Sequence, residues 1–186
     1  MQGTCLKNHL LIAMPSLADP NFSRTVTFIC EHSEAGAMGI VINRPTDIKV
    51  DEVFEQMSIE AARPEAGAAA VFLGGPVEEQ RGFVLHTGHH EWDSSLPVND
   101  EVSVTTSRDI LEAMARGEGP AHTLIALGYA GWGAGQLEQE MLDNAWLTGP
   151  ADSHILFDLP AEQRWEAAAR LLGVDMNTLS SESGHA

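Results

Sequence analysis

The stretch "AHTLIALGYAGWGAGQLEQE", residues 121–140, sets an apolar run against four glycines, Gly128, Gly131, Gly133 and Gly135, and then a polar segment of helical character. It reads as a strand that enters a glycine turn and leaves it as a helix, with Leu137 one turn from Met141. Such turns cradle phosphates when their spacing is right. Here position 136 is Gln, so no G-x-G-x-x-G forms, and no Gly-Lys-Ser/Thr is present. Glu138 and Glu140 fall in the first turns of the helix, where a carboxylate favours the helix dipole and repels a bound anion. The expectation is a structural turn built on glycines at positive φ, with Trp132 as a cover residue.

Working outward, "NHLLIA" (8–13) reads as a short buried strand stopped by Pro15, and "SLADPNFS" as a turn. "RTVTFICEH" alternates, with Val26, Phe28 and Cys30 on one face and Thr25 and Thr27 on the other, which predicts a half-buried strand. "GAMGIVINRP" follows a short polar turn and completes a hairpin, its second strand ending at Pro45. "IKVDEVFEQMSIE" places Val50, Val53, Phe54 and Met57 on one helical face. "EAARPEAGAAA" reads as a loose loop, and "AAVFLGGPV", "RGFVLHT" and "EVSVTTS" as strands. Thr106 and Asp109 have capping-box spacing at the start of "SRDILEAMARG", which Gly117 closes. "SHILFD" reads as a last strand, and "PAEQRWEAAARLLG" as a helix with Trp165, Ala168, Ala169 and Leu172 inward and Gly173 as its stop. Strands cluster early and helices intersperse irregularly, so the pattern predicts α+β with a mixed, largely antiparallel sheet. Residues 1–179 read as one domain and 180–186 as a frayed tail.

Ten basic residues face 27 acidic ones, a formal charge of −17, and no run of even three basic residues occurs. A protein that grips nucleic acid must neutralise phosphates with clustered Lys and Arg, so direct binding to DNA, RNA or an anionic membrane is disfavoured. Two cysteines, Cys5 and Cys30, form no metal or redox spacing. No apolar stretch approaches the roughly 20 residues needed to cross a bilayer. The expectation is a reduced, cytoplasmic protein without a membrane segment.

Several residue groups are candidates for chemistry. "HTGHHEWD" crowds His86, His89 and His90 into a segment read as a loop, without the helical H-E-x-x-H spacing of a zinc site, so solvated histidines are favoured over a metal. Cys30 and His32 share a strand face if the alternation continues, at about 7 Å between Cα atoms, which is long for a thiolate–imidazole pair. Cys30 also continues an apolar face, which favours an inert thiol. No G-x-S-x-G elbow is present. At two strand ends, "NRP" offers Asn43 and Arg44, and "GGPV" offers Gly74 and Gly75 for close backbone approach.

"MPSLADPNF" from Met14, "GIVINRP" from Gly39, "FLGGPV" from Phe72 and "GYAGWGAGQLEQEMLDNAW" from Gly128 occur in this order over most of the chain. By these motifs the sequence resembles the YqgE/AlgH family of bacterial proteins. The resemblance implies an α+β fold in which a branched sheet curls into a partial barrel with helices around it. Family members are often labelled transcriptional regulators, yet the resemblance brings no settled catalytic residues. The last helix has only Arg164 and Arg170 and makes a poor recognition helix. The reading favoured by the residues is a non-enzymatic regulatory or binding domain without a cofactor, recognising a protein or a small molecule and acting on transcription only indirectly. Its candidate ligand-binding residues are Asn43, Arg44, Gly74, Gly75, Gly131, Trp132, Gln136 and Asn144. The alternatives are an enzyme using Cys30/His32 or a metal at the histidine loop, and a direct DNA-binding regulator.

Overall fold

A computed structural model describes residues 5–88 and 92–176. Among the described residues ten strands and four α-helices follow one another: β1 His9–Ala13, β2 Val26–Ser33, β3 Gly36–Val41, β4 Pro45–Lys49, α1 Val50–Gln56, β5 Ala70–Leu73, β6 Val77–Thr87, β7 Ser95–Pro97, β8 Val102–Thr105, α2 Arg108–Ala115, β9 Thr123–Gly133, α3 Gln136–Leu142, β10 Trp146–Pro150 and α4 Ala161–Arg170. The sheet runs β10-β1-β2-β3-β9-β6-β8-β7, with β4 and β5 branching from it. Every pairing is antiparallel except that of β5 with β9. The result is an α+β half-barrel with helices around it, as the resemblance implied. No helix among the described residues is long and apolar enough to cross a membrane.

Strand β9 carries the branch. Its first half pairs with β6 on one edge and, at Ala126 and Leu127, with β5 on the other; beyond Gly128 that second edge passes to β3, from Ala130 to Gly133. Gly128 sits at φ +80°, where a side chain is disfavoured, and it resets the alternation. Leu124 and Ala126 face the central core before it and Tyr129 after it, while the opposite face changes from Ile125, beside α1 and α2, to Ala130 and Trp132, beside α3. The "GGP" segment crosses β9 here: a Cβ on Gly74 would strike the Gly128 carbonyl, and one on Gly75 the Tyr129 backbone. The close approach read from these glycines is thus made to the protein's own β9.

Three apolar clusters fill the fold. The central one draws on β1, β2, β3, β6, β8 and β9 and is covered by Trp165, Ala168 and Ala169 of α4. Fully burying a large apolar side chain of this kind contributes about 1.5–3 kcal/mol. A second packs Leu137 of α3 with Trp132 and Trp146, and a third packs Val50 and Phe54 of α1 with Ile110 and Leu111 of α2. Both faces of β2 are covered over its first part, so the alternation expected there is corrected: residues 25–30 are all buried, and exposure begins at Glu31.

Other expectations also change. "SHILFD" is not a strand but a π-helical turn, His154–Asp158, started by the Asp152 carboxylate accepting the His154 and Ile155 amides at 2.9 and 3.2 Å. The last strand is β10. β3 stops at Val41, and Pro45 opens β4 instead of ending the hairpin. Strand β6 extends through the polar residues after Val77, with a bulge before Gly82. The loop after α1 contains a 3-10 turn, Pro64–Gly67. The N-cap of α2 is Ser107, not Thr106; the Asp109 carboxylate accepts the Ser107 hydroxyl at 2.6 Å and the Asp93 amide at 2.8 Å. The tail from 180 lies outside the described residues.

Candidate functional site

A cleft of about 780 Å³ opens where β3, β6, β8 and β9 meet. Met38, Phe83, Leu96, Val104 and Tyr129 supply its apolar wall, and Gly131 with Trp132 continues it along β9. The Phe83 and Tyr129 rings meet edge to face at 5.7 Å. Arg81 lies over Phe83 at 5.4 Å and pairs with Glu78 at 3.4 Å, so a cation stands beside an aromatic wall. A smaller pocket of about 410 Å³ adjoins it, sharing Glu31, Met38 and Trp132 and reaching His32 and Lys7.

Gly131 and Trp132 are the residues expected from the sequence that line this cleft. The rest of their motif is tied up in bonds within the chain. The Trp132 and Trp146 indole N–H groups both donate to Glu140 Oε1, at 3.1 and 2.9 Å. Gln136 donates to Glu140 Oε2 at 3.0 Å, and its own carbonyl oxygen accepts the Gly133 amide at 3.0 Å. Phe22 packs on both indoles, 6.1 and 5.6 Å between ring centroids. The Gly133 amide is thus taken by the neutral Gln136 side chain, and Glu140 is held by two indoles and Gln136. Asn144 follows the end of α3 at φ +59° and donates its amide to the Met141 carbonyl at 3.1 Å.

The "NRP" residues hold the neighbouring turn. Asn43 accepts the Val26 amide at 2.9 Å and donates to the Arg24 carbonyl at 3.0 Å. Arg44 donates to the carbonyls of Asn21 and Ser23 at 2.7 and 3.0 Å. Burial lowers the Arg44 pKa from its ordinary value, against the opposing influence of Asp19.

Cys30 and His32 face different surroundings. Cys30 is the extra residue of a β-bulge, since Ile29 pairs with Gly39 and Glu31 with Met38. Its thiol lies in the central core, 3.6 Å from the Phe28 carbonyl, and burial raises its pKa far above the ordinary range, with Glu31 adding to the shift. The bulge turns His32 toward α3. His32 Nδ1 accepts the Leu6 amide at 2.8 Å, so the ring proton sits on Nε2 and is directed to Glu138 at 3.2 Å. His86 is buried, with Nδ1 3.1 Å from the Thr87 carbonyl and Nε2 2.6 Å from the Thr105 hydroxyl. A carbonyl only accepts, so Nδ1 carries the proton and Nε2 accepts from Thr105. His89 and His90 lie outside the described residues. Among the described residues no cluster of His, Cys, Asp and Glu has the geometry to hold a metal ion.

The sequence reading missed the cleft's apolar wall, although Phe83 and Tyr129 stand in strands it identified. They become neighbours only through the β6–β9 pairing, which no local spacing announces.

These features define a class: an α+β half-barrel with a cleft at its branching strand and a closed carboxylate–indole network beneath it. An AlgH-like family model (DUF179) matches residues 10–177. The chain belongs to that AlgH-like family. It is 58% identical to a UPF0301 protein of Nitrosococcus oceani over 100% of both chains, and 63% identical to one of Thioalkalivibrio sulfidiphilus over 96% of each. The solution structure of the AlgH protein from Pseudomonas aeruginosa superposes with a TM-score of 0.81 at 52% identity, covering 100% of this chain and 98% of that one. An X-ray structure of a Corynebacterium diphtheriae protein shares the fold, with a TM-score of 0.76 at 20% identity over 97% of this chain and 94% of its own.

Proposed function

We propose that this protein is a non-enzymatic binding domain that receives a small molecule, or one side chain of a protein partner, in the cleft over Gly131 and Trp132. The observation that carries the reading is the cleft itself. Its volume of about 780 Å³ falls within the usual span for ligand sites, and its apolar wall with a few polar groups at the rim has the usual composition. The buried thiol of Cys30, held protonated, gives no support to thiolate catalysis. An acidic chain of net charge −17 is suited to influencing transcription through a partner and not by gripping DNA. Two free cysteines support a cytoplasmic location.

Alanine at Arg44 or Trp132 would damage the fold along with any site, so the test is a residue that can fill the cleft without disturbing the backbone. A Cβ on Gly131 meets only ordinary contacts, 3.4 Å to a Tyr129 ring carbon and 3.9 Å to Val77. Gly131→Leu is expected to fold normally and to lose the ligand-induced spectral shifts that a small-molecule library produces in the wild-type protein. Shifts that persist unchanged in a folded Gly131→Leu protein would place binding elsewhere.

A further inference from the structure

We propose a second binding site, on the face of the sheet opposite the cleft, that takes an organic amine: an apolar chain or ring carrying an ammonium head. Successive strand residues point to opposite faces, so Phe83 faces the central core and the cleft while Gly82 and Val84 face the other way. There a cavity of about 740 Å³ is bounded by the sheet, α1 and α2, and Thr106 alone among its described lining residues also borders the cleft. Val84, Ile125 and Leu127 of β6 and β9 line its sheet side, Val53 and Met57 of α1 and Leu111 of α2 its helix side. Val53, Met57 and Leu127 pack against the third apolar cluster but stay partly exposed, and Ile48 of β4, which also lines the cavity, is an exposed large apolar side chain. The fold thus leaves a continuous apolar lining uncovered, around a volume usual for ligand sites.

Gly82 gives the cavity its depth. It stands opposite Leu127 in the β6–β9 pairing and is not among the glycines at positive φ, and a Cβ there would meet no atom within 4 Å. A strand glycine without a backbone need for glycine gives up side-chain packing, and here the space it leaves belongs to the cavity. The polar groups beside the lining set the head of the ligand. Glu52 and Glu79 bring two carboxylates, and Gln56 and Gln80 two amides. Arg108, the cation among the described lining residues, is paired with Glu112 at 3.6 Å. Glu52 accepts the Lys49 amide at 2.7 Å, but an ionised carboxylate has about four acceptor positions, so this bond does not exhaust it. Carboxylates only accept, so they select a donor, and a cationic donor gives the stronger, charge-assisted bond. The net charge of −17 adds to this by drawing cations and repelling anionic amphiphiles.

The test is a titration of the full chain with octylamine at neutral pH and fixed ionic strength, followed by backbone amide shifts, with octanol, octanoate and methylamine as parallel arms. Saturable shifts at Gly82, Val84, Leu111 and Leu127 are expected with octylamine. Octanol, which keeps the tail but lacks the charge-assisted contact, should bind about tenfold more weakly, and octanoate more weakly still. Methylamine, a head without a tail, should give no saturable shifts at these residues. Gly82→Leu should fold normally, fill the cavity and abolish saturable binding of octylamine and octanol alike. The double variant Glu52→Gln/Glu79→Gln keeps acceptors in place while removing their charge; it should bring octylamine down to the level of octanol and leave octanol unchanged, which a general loss of structure would not do. Octanol or octanoate binding as tightly as octylamine, undiminished binding in a folded Gly82→Leu protein, or an unchanged preference in the double variant would overturn the proposal. Shifts at these residues that grow with protein concentration alone would also overturn it, by making a second copy of the chain the occupant. Gly131→Leu, which fills the cleft, should leave octylamine binding intact, so the two sites stand or fall separately; loss of octylamine in that variant would place the amine in the cleft and overturn the second site.

Discussion

The glycine-rich end of β9 and the arginine-bearing end of β3 both gather hydrogen-bond donors, and they are completed in opposite ways. At β9, two indoles and Gln136 converge on the carboxylate of Glu140, so donors and anion come from the same chain. At β3, Arg44 donates to the Asn21 and Ser23 carbonyls and Arg164 to those of Leu159 and Ile42, which accept hydrogen bonds but supply no negative charge. The first region is satisfied by a carboxylate and the second by neutral carbonyls. Both donor-rich motifs are thus completed by acceptors of the chain itself, charged in one and neutral in the other.

The largest effect should come from breaking the closed region. Trp146→Ala removes a nearly buried ring that contacts Phe22 and Trp132 as well as one donor to Glu140, and is expected to cost roughly 3–5 kcal/mol in chemical denaturation. Glu140→Leu keeps the rings but strips three donors of their acceptor, at about 2 kcal/mol, while Glu140→Gln retains an acceptor and should cost about half as much. A neutral Glu140→Leu would mean that water satisfies the indoles, and the contrast between the two regions would then fail.

The same contrast explains what could be read from the sequence. The β9–turn–α3 unit was legible because its signals are local: apolar run, glycines, then Leu137 and Met141 at helical spacing. "SHILFD" was not, since six residues with apolar Ile155 and Leu156 fit a strand or a helical turn equally well, and the deciding group, Asp152, stands just outside the run. The short β7 escapes for want of length. Cys30 and His32 were separated by a one-residue bulge, a feature of pairing with β3 that β2 alone cannot display. The candidate sites were the least legible part. The cleft needs the β6–β9 register, and the seat of the buried Arg164 needs α4 packed on residues more than a hundred positions earlier, as its bond to Ile42 shows.

The smallest expected effect sharpens the comparison most. Arg44 and Arg24 lie on either side of one turn, yet Arg44 fastens two carbonyls while Arg24 rests on the outer face of Trp165. Arg44→Lys should cost about 1 kcal/mol, because a single ammonium head cannot reproduce a fork spanning Asn21 and Ser23. Arg24→Gln should cost only about 0.5 kcal/mol, the scale of an exposed cation–ring contact. Parallel denaturation curves of the two variants decide the matter. If Arg24→Gln proved as damaging as Arg44→Lys, the Arg24–Trp165 contact would count for as much as the two carbonyl bonds; if it is nearly silent, the bonds to Asn21 and Ser23 are what hold this turn.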